Sequence, residues 1–97
     1  MTVALEQLAA ELAVTPQELE RRSLLAYVER ERRLAALDIA DLQDRYGVRT
    51  QQELSKRVEQ RLVYSHPAWE DLIEWERLDA YLAQIQDWES HLDSQNV

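Results

Sequence analysis

Cysteine is absent from this 97-residue chain, so it has neither a disulfide framework nor a thiolate metal site, and nothing points to an oxidising compartment. Phenylalanine is missing too, and the helix breakers are confined to one glycine, Gly47, and two prolines, Pro16 and Pro67. So few interruptions among fifteen leucines read as an all-α chain. No apolar run approaches the ~20 residues that cross a bilayer. Met1 to Val14 carries Glu6 and Glu11 where a secretory leader would be basic. The expectation is a cytoplasmic protein with no membrane contact.

Chemistry is scarce for the same reason. Nucleophilic hydrolysis needs a nucleophile beside a base and an orienting group, and the chain offers two histidines and no glycine-built oxyanion loop. No enzyme is expected, and no cofactor. For metals, His66, Glu70 and Glu74 follow i, i+4, i+8 spacing, and Asp87 and His91 follow i, i+4. Di-iron bundles place Glu-x-x-His motifs inward on paired helices, and that motif does not occur here, so the acid-rich faces read as solvated rather than ligating.

What the chain does have is acid and tryptophan in one place. Lysine and arginine total 11 against 19 aspartates and glutamates, a net charge of -8. By segment, residues 1–14 contribute -2, 15–33 contribute +1, 34–66 are neutral and 67–97 contribute -7. That last segment also holds all three tryptophans, Trp69, Trp75 and Trp88. An acidic helix with three indoles is not a mere solvated face, because each ring has roughly 150–250 Å² to bury. The charge repels nucleic acid and anionic membrane and favours a basic partner.

Local signals divide the chain into four helices. Thr2 caps a short one with Leu5, Leu8, Ala9 and Leu12 at helical spacing, ending near Val14. Thr15-Pro16-Gln17-Glu18 then supplies a cap hydroxyl, a first-turn proline and a glutamate, a capping box. No breaker follows until Gly47, which predicts a helix from Pro16 to Tyr46 with Gly47 as its left-handed terminator. Its apolar stripe is Leu25, Val28, Ala35, Ile39, Leu42 and Tyr46, interrupted at the charged stretch Glu29–Arg33. A second box, Thr50-Gln51-Gln52-Glu53, opens a third helix carrying Leu54, Val58 and Leu62, which stops before Tyr64-Ser65-His66-Pro67. The fourth helix starts at Pro67 and runs to about Leu92, with Asp93–Val97 as a frayed tail.

The expected architecture is all-α: one long central helix, an N-terminal helical hairpin over residues 1–33 and a C-terminal antiparallel helical bundle over 34–93, within a single domain. On the last helix Trp75, Leu78, Tyr81, Leu82, Ile85, Trp88 and Leu92 share a stripe expected to pack antiparallel to Ala35–Tyr46. Trp69, Leu72 and Ile73 point the other way and are assigned to Leu54, Val58 and Leu62. Trp69 and Trp88 flank the presumed core, leaving core and interface both open for them.

A hairpin this small buries too little alone, so homodimerisation through Leu24, Leu25 and Val28 is expected. The hairpin also offers a DNA-binding candidate, helix–turn–helix or ribbon–helix–helix, with Arg21, Arg22, Arg30, Arg32 and Arg33 following the turn and Thr2–Leu5 as a strand. Glu18, Glu20, Glu29 and Glu31 nearly cancel those arginines, so a dimerising hairpin is the preferred reading.

The stretch Ala40-Asp41-Leu42-Gln43-Asp44-Arg45-Tyr46-Gly47-Val48, then Thr50-Gln51-Gln52-Glu53-Leu54, then His66-Pro67-Ala68-Trp69-Glu70-Asp71-Leu72-Ile73-Glu74-Trp75-Glu76 resembles a family of small, acidic, all-helical prokaryotic antitoxins of type II toxin–antitoxin pairs. The resemblance covers about Leu34 to Ile85, and its most specific part is the segment beginning at His66. It implies tight binding of a small basic toxin ribonuclease encoded nearby and autorepression through an N-terminal DNA-binding element. The residues expected to hold the basic partner are Trp69, Asp71, Glu74, Glu76, Asp79 and Trp88. The alternatives are a self-associating scaffold protein and a small DNA-binding repressor.

Overall fold

Four helices account for nearly all of the computed structural model, which describes residues 2–63 and 65–94: α1 (Thr2–Leu12), α2 (Pro16–Tyr46), α3 (Gln51–Glu59) and α4 (Ser65–Ser94). The fold is all-α, with no strand among the described residues. The capping hydroxyl assigned to Thr2, the helix stop at Tyr64 and the tail beyond Ser94 lie outside the described residues. No helix of the described residues is long and apolar enough to cross a membrane.

The helix starts follow their capping boxes. At α2, the Glu18 amide donates to Thr15 Oγ1 at 3.0 Å with Pro16 in the first turn. At α3, the Glu53 amide donates to Thr50 Oγ1 at 3.2 Å, and Glu53 Oε2 accepts the Arg49 amide at 3.0 Å, one residue before the cap. Thirty-one residues of α2 continue without a break through Glu29–Arg33, a span of about 46 Å at 1.5 Å per residue.

Helix ends are less uniform. Gly47 terminates α2 at φ +63°, its amide donating to the Gln43 carbonyl. A Cβ built there meets nothing within 4 Å, so a substitution costs only conformation. Gly47→Val is expected to destabilise the fold by roughly 1–2 kcal/mol, the left-handed penalty of a β-branched residue, read as a shifted urea midpoint. The other two termini reach the same region without glycine. Ala13 and Arg61 both have φ +58°. Each sits in a paired-bond cap: Val14 to Ala9 and Ala13 to Ala10, then Leu62 to Arg57 and Arg61 to Val58. Ala13→Gly is therefore expected to raise stability by a few tenths to about 1 kcal/mol in the same assay.

The cap at Arg61 shortens α3 to nine residues, against the expectation that it carry Leu62 onto a helical face. Leu62 is instead 68% exposed. The core gathers Ala35 and Leu42 from α2, Val48, Leu54 from α3, and Leu72, Trp75 and Leu78 from α4, with Ile39, Tyr46, Val58 and Tyr81 packed around it. Of the residues assigned to α3, Leu72 arrives as expected. Trp69 and Ile73 stay exposed, at 60% and 53%, facing Gln51, Gln52 and Ser55 of α3 across an open hollow rather than Leu54, Val58 and Leu62.

The radius of gyration is 19.3 Å, against about 12.5 Å for a compact chain of this length, and the long dimension is 60 Å. The elongation comes from α4 running antiparallel to α2 for most of its length. Expected to end at Ala35, that packing continues past the charged stretch: Tyr81 donates to Glu31 at 2.7 Å, Arg32 is paired with Glu89, and Val28 is buried. Part of the charge of Glu29–Arg33 is thus met by α4, which packs against both halves of α2.

Candidate functional site: the tryptophan-bearing face of helix α4

Three tryptophans on one helix meet three environments. Trp75 is 1% exposed and is the largest fully buried side chain. Trp88 is 38% exposed and stands edge-on to Tyr81, ring centroids 6.1 Å apart. Trp69 is 60% exposed, with Ile73 one turn on at 53%. At 100° per residue Trp69, Ile73 and Glu76 fall within about 60° of one another, facing away from the core direction set by Trp75 and Leu78.

Between these residues and α3 lies an open hollow of about 380 Å³, lined by Trp69, Leu72, Ile73 and Glu76 from α4 and Gln51, Gln52 and Ser55 from α3. The second capping box determines this wall: it fixes where α3 begins and so puts two glutamines beside the indole. Asp79 closes the far side, accepting from Gln51 Nε2 at 2.9 Å. Glu70 is exposed on the adjacent flank, near His66. An apolar floor, amide walls and a carboxylate rim make a surface suited to an aliphatic anchor flanked by lysine or arginine.

The six residues assigned to partner binding from sequence therefore separate. Trp69, Glu76 and Asp79 line or border this hollow. Asp71 does not reach it: on the opposite side of α4 it receives the Tyr46 hydroxyl and Arg45 Nη1, the latter at 2.9 Å, tying α2 to α4. Arg57 Nη1 adds α3 to this clasp by donating to the Tyr46 carbonyl at 3.0 Å. Burial and the Asp71 carboxylate raise the Tyr46 hydroxyl's pKa, and hydrogen bonding to Asp71 raises that of Arg45. Glu74 is held by Arg77 Nε at 3.0 Å, which lowers its pKa, and lies on the Asp71 side. Trp88 is about 28 Å further along the helix at 1.5 Å per residue. Sequence reasoning missed Ile73, taken as core, and the wall of Gln51, Gln52 and Ser55, for which the only signal was the place of the two glutamines in the capping box.

At the other end, the dimerisation residues also differ in exposure. Leu24 is 46% exposed and Leu25 half-buried, whereas Val28 is already buried within the chain. The strand needed for a ribbon–helix–helix arm is not formed, since Thr2–Leu5 begins α1. Three of the five arginines are engaged: Arg21 and Arg22 both hold Glu18, at 2.9 Å, and Arg32 holds Glu89.

That pairing holds the Glu18 carboxyl at about pKa 2, below its ordinary 4.5, through hydrogen bonds from Arg21 and then Arg22. A depressed folded-state value stabilises the fold above the unfolded value, and the contribution is lost as pH falls from about 4.5 towards 2. Glu18→Gln is expected to lower the melting temperature near neutral pH, with the difference closing by about pH 2. The side chain is partly exposed, so the gap should narrow with salt.

The molecule is thus an all-helical, elongated protein with an acidic, tryptophan-bearing surface beside a short helix. The chain belongs to the uncharacterized protein MJ0235 family, whose model matches residues 1–96. No curated protein and no solved structure matches it.

Proposed function

We propose that this chain is an antitoxin-like, protein-binding module that captures a small basic protein, encoded nearby, on the Trp69 face, and does so in the cytoplasm. The observation that carries the reading is the exposure of Trp69 and Ile73 together, on a helix whose segment holds eight carboxylates and one arginine. Water contact over two large apolar side chains is unfavourable by about 25 cal/mol per Å², and a partner that covers them recovers that free energy. Glu76 and Asp79 at the hollow favour lysine or arginine at its rim, and they and Glu70 on the next flank of α4 steer the encounter. Asp71 and Glu74 hold arginines of this chain and so contribute to the fold and the general field rather than to the contact itself. The His66–Glu76 segment, which resembles antitoxins, supplies Trp69, Leu72, Ile73 and Glu76 to this hollow.

The reading is tested by expressing the adjacent gene alone and together with this one. Growth arrest by the neighbour, relieved by the wild-type chain and not by Trp69→Ala, is expected. Equal relief by both, at equal protein levels, would count against the Trp69 face.

A further inference from the structure

Helices α2 and α4 leave a groove along one side of their shared length, formed by three open hollows of about 350, 200 and 310 Å³. The hollows join. Asp38 and Leu78 line both the second and the third, and Tyr81 in the second stands edge-on to Trp88 in the first. No described side chain of α1 or α3 lines any of them. On α2, Leu24, Tyr27, Glu31, Leu34, Asp38 and Asp41 alternate three and four residues apart, and every one lines the groove. On α4, Glu74, Arg77, Tyr81 and Trp88 line it on the same repeat. This is a second row. The row by which α2 packs on α4 is Val28, Ala35 and Leu42, buried and one heptad apart. A helix pair packs through one such row on each member, so a second row on both, turned to the same side, is the seat of a third helix.

We propose that this groove seats an amphipathic helix of a partner protein, apolar towards the α1–α2 hairpin and rich in lysine or arginine towards α3. The row from Leu24 to Asp41 spans about 26 Å, the length of a helix of roughly 17 residues. Its chemistry changes along that length. At the hairpin end Leu24, Tyr27, Leu34 and Trp88 keep between 38% and 55% of their surface exposed and accept aliphatic side chains at helical spacing. Towards α3 the lining holds five carboxylates, Glu31, Asp38, Asp41, Asp71 and Glu74, against Arg45 and Arg77. Three of the five are bound within the chain: Glu31 by Tyr81, Asp71 by Arg45 and Tyr46, and Glu74 by Arg77. Asp38 and Asp41 are exposed, and no hydrogen bond or salt bridge among the described residues engages them. They are the charges that a cationic helix meets.

A second copy of this chain lacks that complement groove to groove, since the pairing would set carboxylates against carboxylates in a chain of net charge -8. The inference is also independent of the Trp69 reading. At 100° per residue Glu74, Arg77, Tyr81 and Trp88 point about 100° around α4 from Trp69, Ile73 and Glu76. Trp88 and Glu74, placed with Trp69 on one partner surface by the sequence, belong to this groove instead.

The probe is a capped synthetic peptide of about 17 residues with leucines on the 3-4 repeat and lysines flanking them in one half, beside a control of the same composition in scrambled order. It is titrated into the isotope-labelled full chain, where the indole N–H signals of Trp69, Trp75 and Trp88 report its position. The patterned peptide is expected to move the Trp88 signal at roughly tenfold lower concentration than the scrambled one, and to do so equally in Trp69→Ala. Tyr27→Glu/Leu34→Glu should raise the dissociation constant about tenfold or more with helical circular dichroism retained. Asp38→Lys/Asp41→Lys should do the same at low salt and have less effect at high salt. Scrambled and patterned peptides binding alike, or movement of the Trp69 signal without that of Trp88, would overturn the inference. So would a dimer of the free chain that Tyr27→Glu/Leu34→Glu dissolves, since the groove would then belong to a second copy. The indole signals of the wild-type chain decide the matter should a variant fail to fold.

Discussion

Trp75→Ala is expected to remove about 3–5 kcal/mol of stability, the cost of deleting a fully buried indole that the surroundings only partly refill. A domain of this length has a total stability of roughly 5–15 kcal/mol, so the variant should lose much of its cooperative melting near physiological temperature. The reason is positional. Trp75 lies where α2, α3 and α4 meet, in one cluster with Leu42, Leu54, Leu72 and Leu78. Trp69, six residues earlier, is 60% exposed, so Trp69→Ala should change the urea midpoint by no more than a surface substitution does, about 0.5 kcal/mol. Equal loss in the two variants would mean that the burial assigned to them is wrong.

The second large effect is on binding. Trp69→Ala is expected to weaken capture of the basic partner by roughly 30- to 1000-fold, the 2–4 kcal/mol of an aromatic hot spot, mainly through faster dissociation. Charge reversal should act on the other rate. Glu70→Lys/Glu76→Lys removes two exposed carboxylates beside the hollow and is expected to slow association about tenfold or more at low salt, with a smaller effect on dissociation. Asp71→Lys is a poor probe of the same idea. It breaks the bonds from Tyr46 and Arg45 that join α2 to α4, and would lower stability as well as charge.

The contrast between Asp71 and Glu76 shows what the sequence carries. Helix starts were legible because each depends on side chains within four residues: Thr15 with Pro16 and Glu18, Thr50 with Glu53. The end of α2 was legible for a related reason, since glycine is the residue that reaches the left-handed region without strain. The ends at Ala13 and Arg61 were not, because their bonds are made by backbone alone and residues of ordinary type adopt the conformation. The end at Arg61 leaves Leu62 exposed, and on the side of α3 that meets Trp69 and Ile73 stand Gln51, Gln52 and Ser55 rather than the expected apolar face.

Periodicity identified which residues of α4 share a direction, and Trp75, Leu78 and Ile85 are buried accordingly. It carries no information about whether a neighbour exists in the opposite direction, which is the whole question for Trp69. Nor does it separate a carboxylate held by this chain from one available to another. Asp71 and Glu76 look alike in the sequence, yet one is bound to Arg45 and Tyr46 and the other lines an open hollow. The charged stretch Glu29–Arg33 misled in the same way, since its partners Tyr81 and Glu89 are about 50 residues distant.

The central claim is that the Trp69 face holds a basic protein, and the kinetics of binding to the purified product of the adjacent gene test it most directly. Wild type, Trp69→Ala and Glu70→Lys/Glu76→Lys would be measured at low and high salt, with matched helical circular dichroism showing that all three are folded. The account predicts fast, salt-weakened association for wild type, accelerated dissociation for Trp69→Ala, and slowed association with reduced salt dependence for the charge reversal. Absence of binding at low salt, or binding indifferent to both variants, would contradict it.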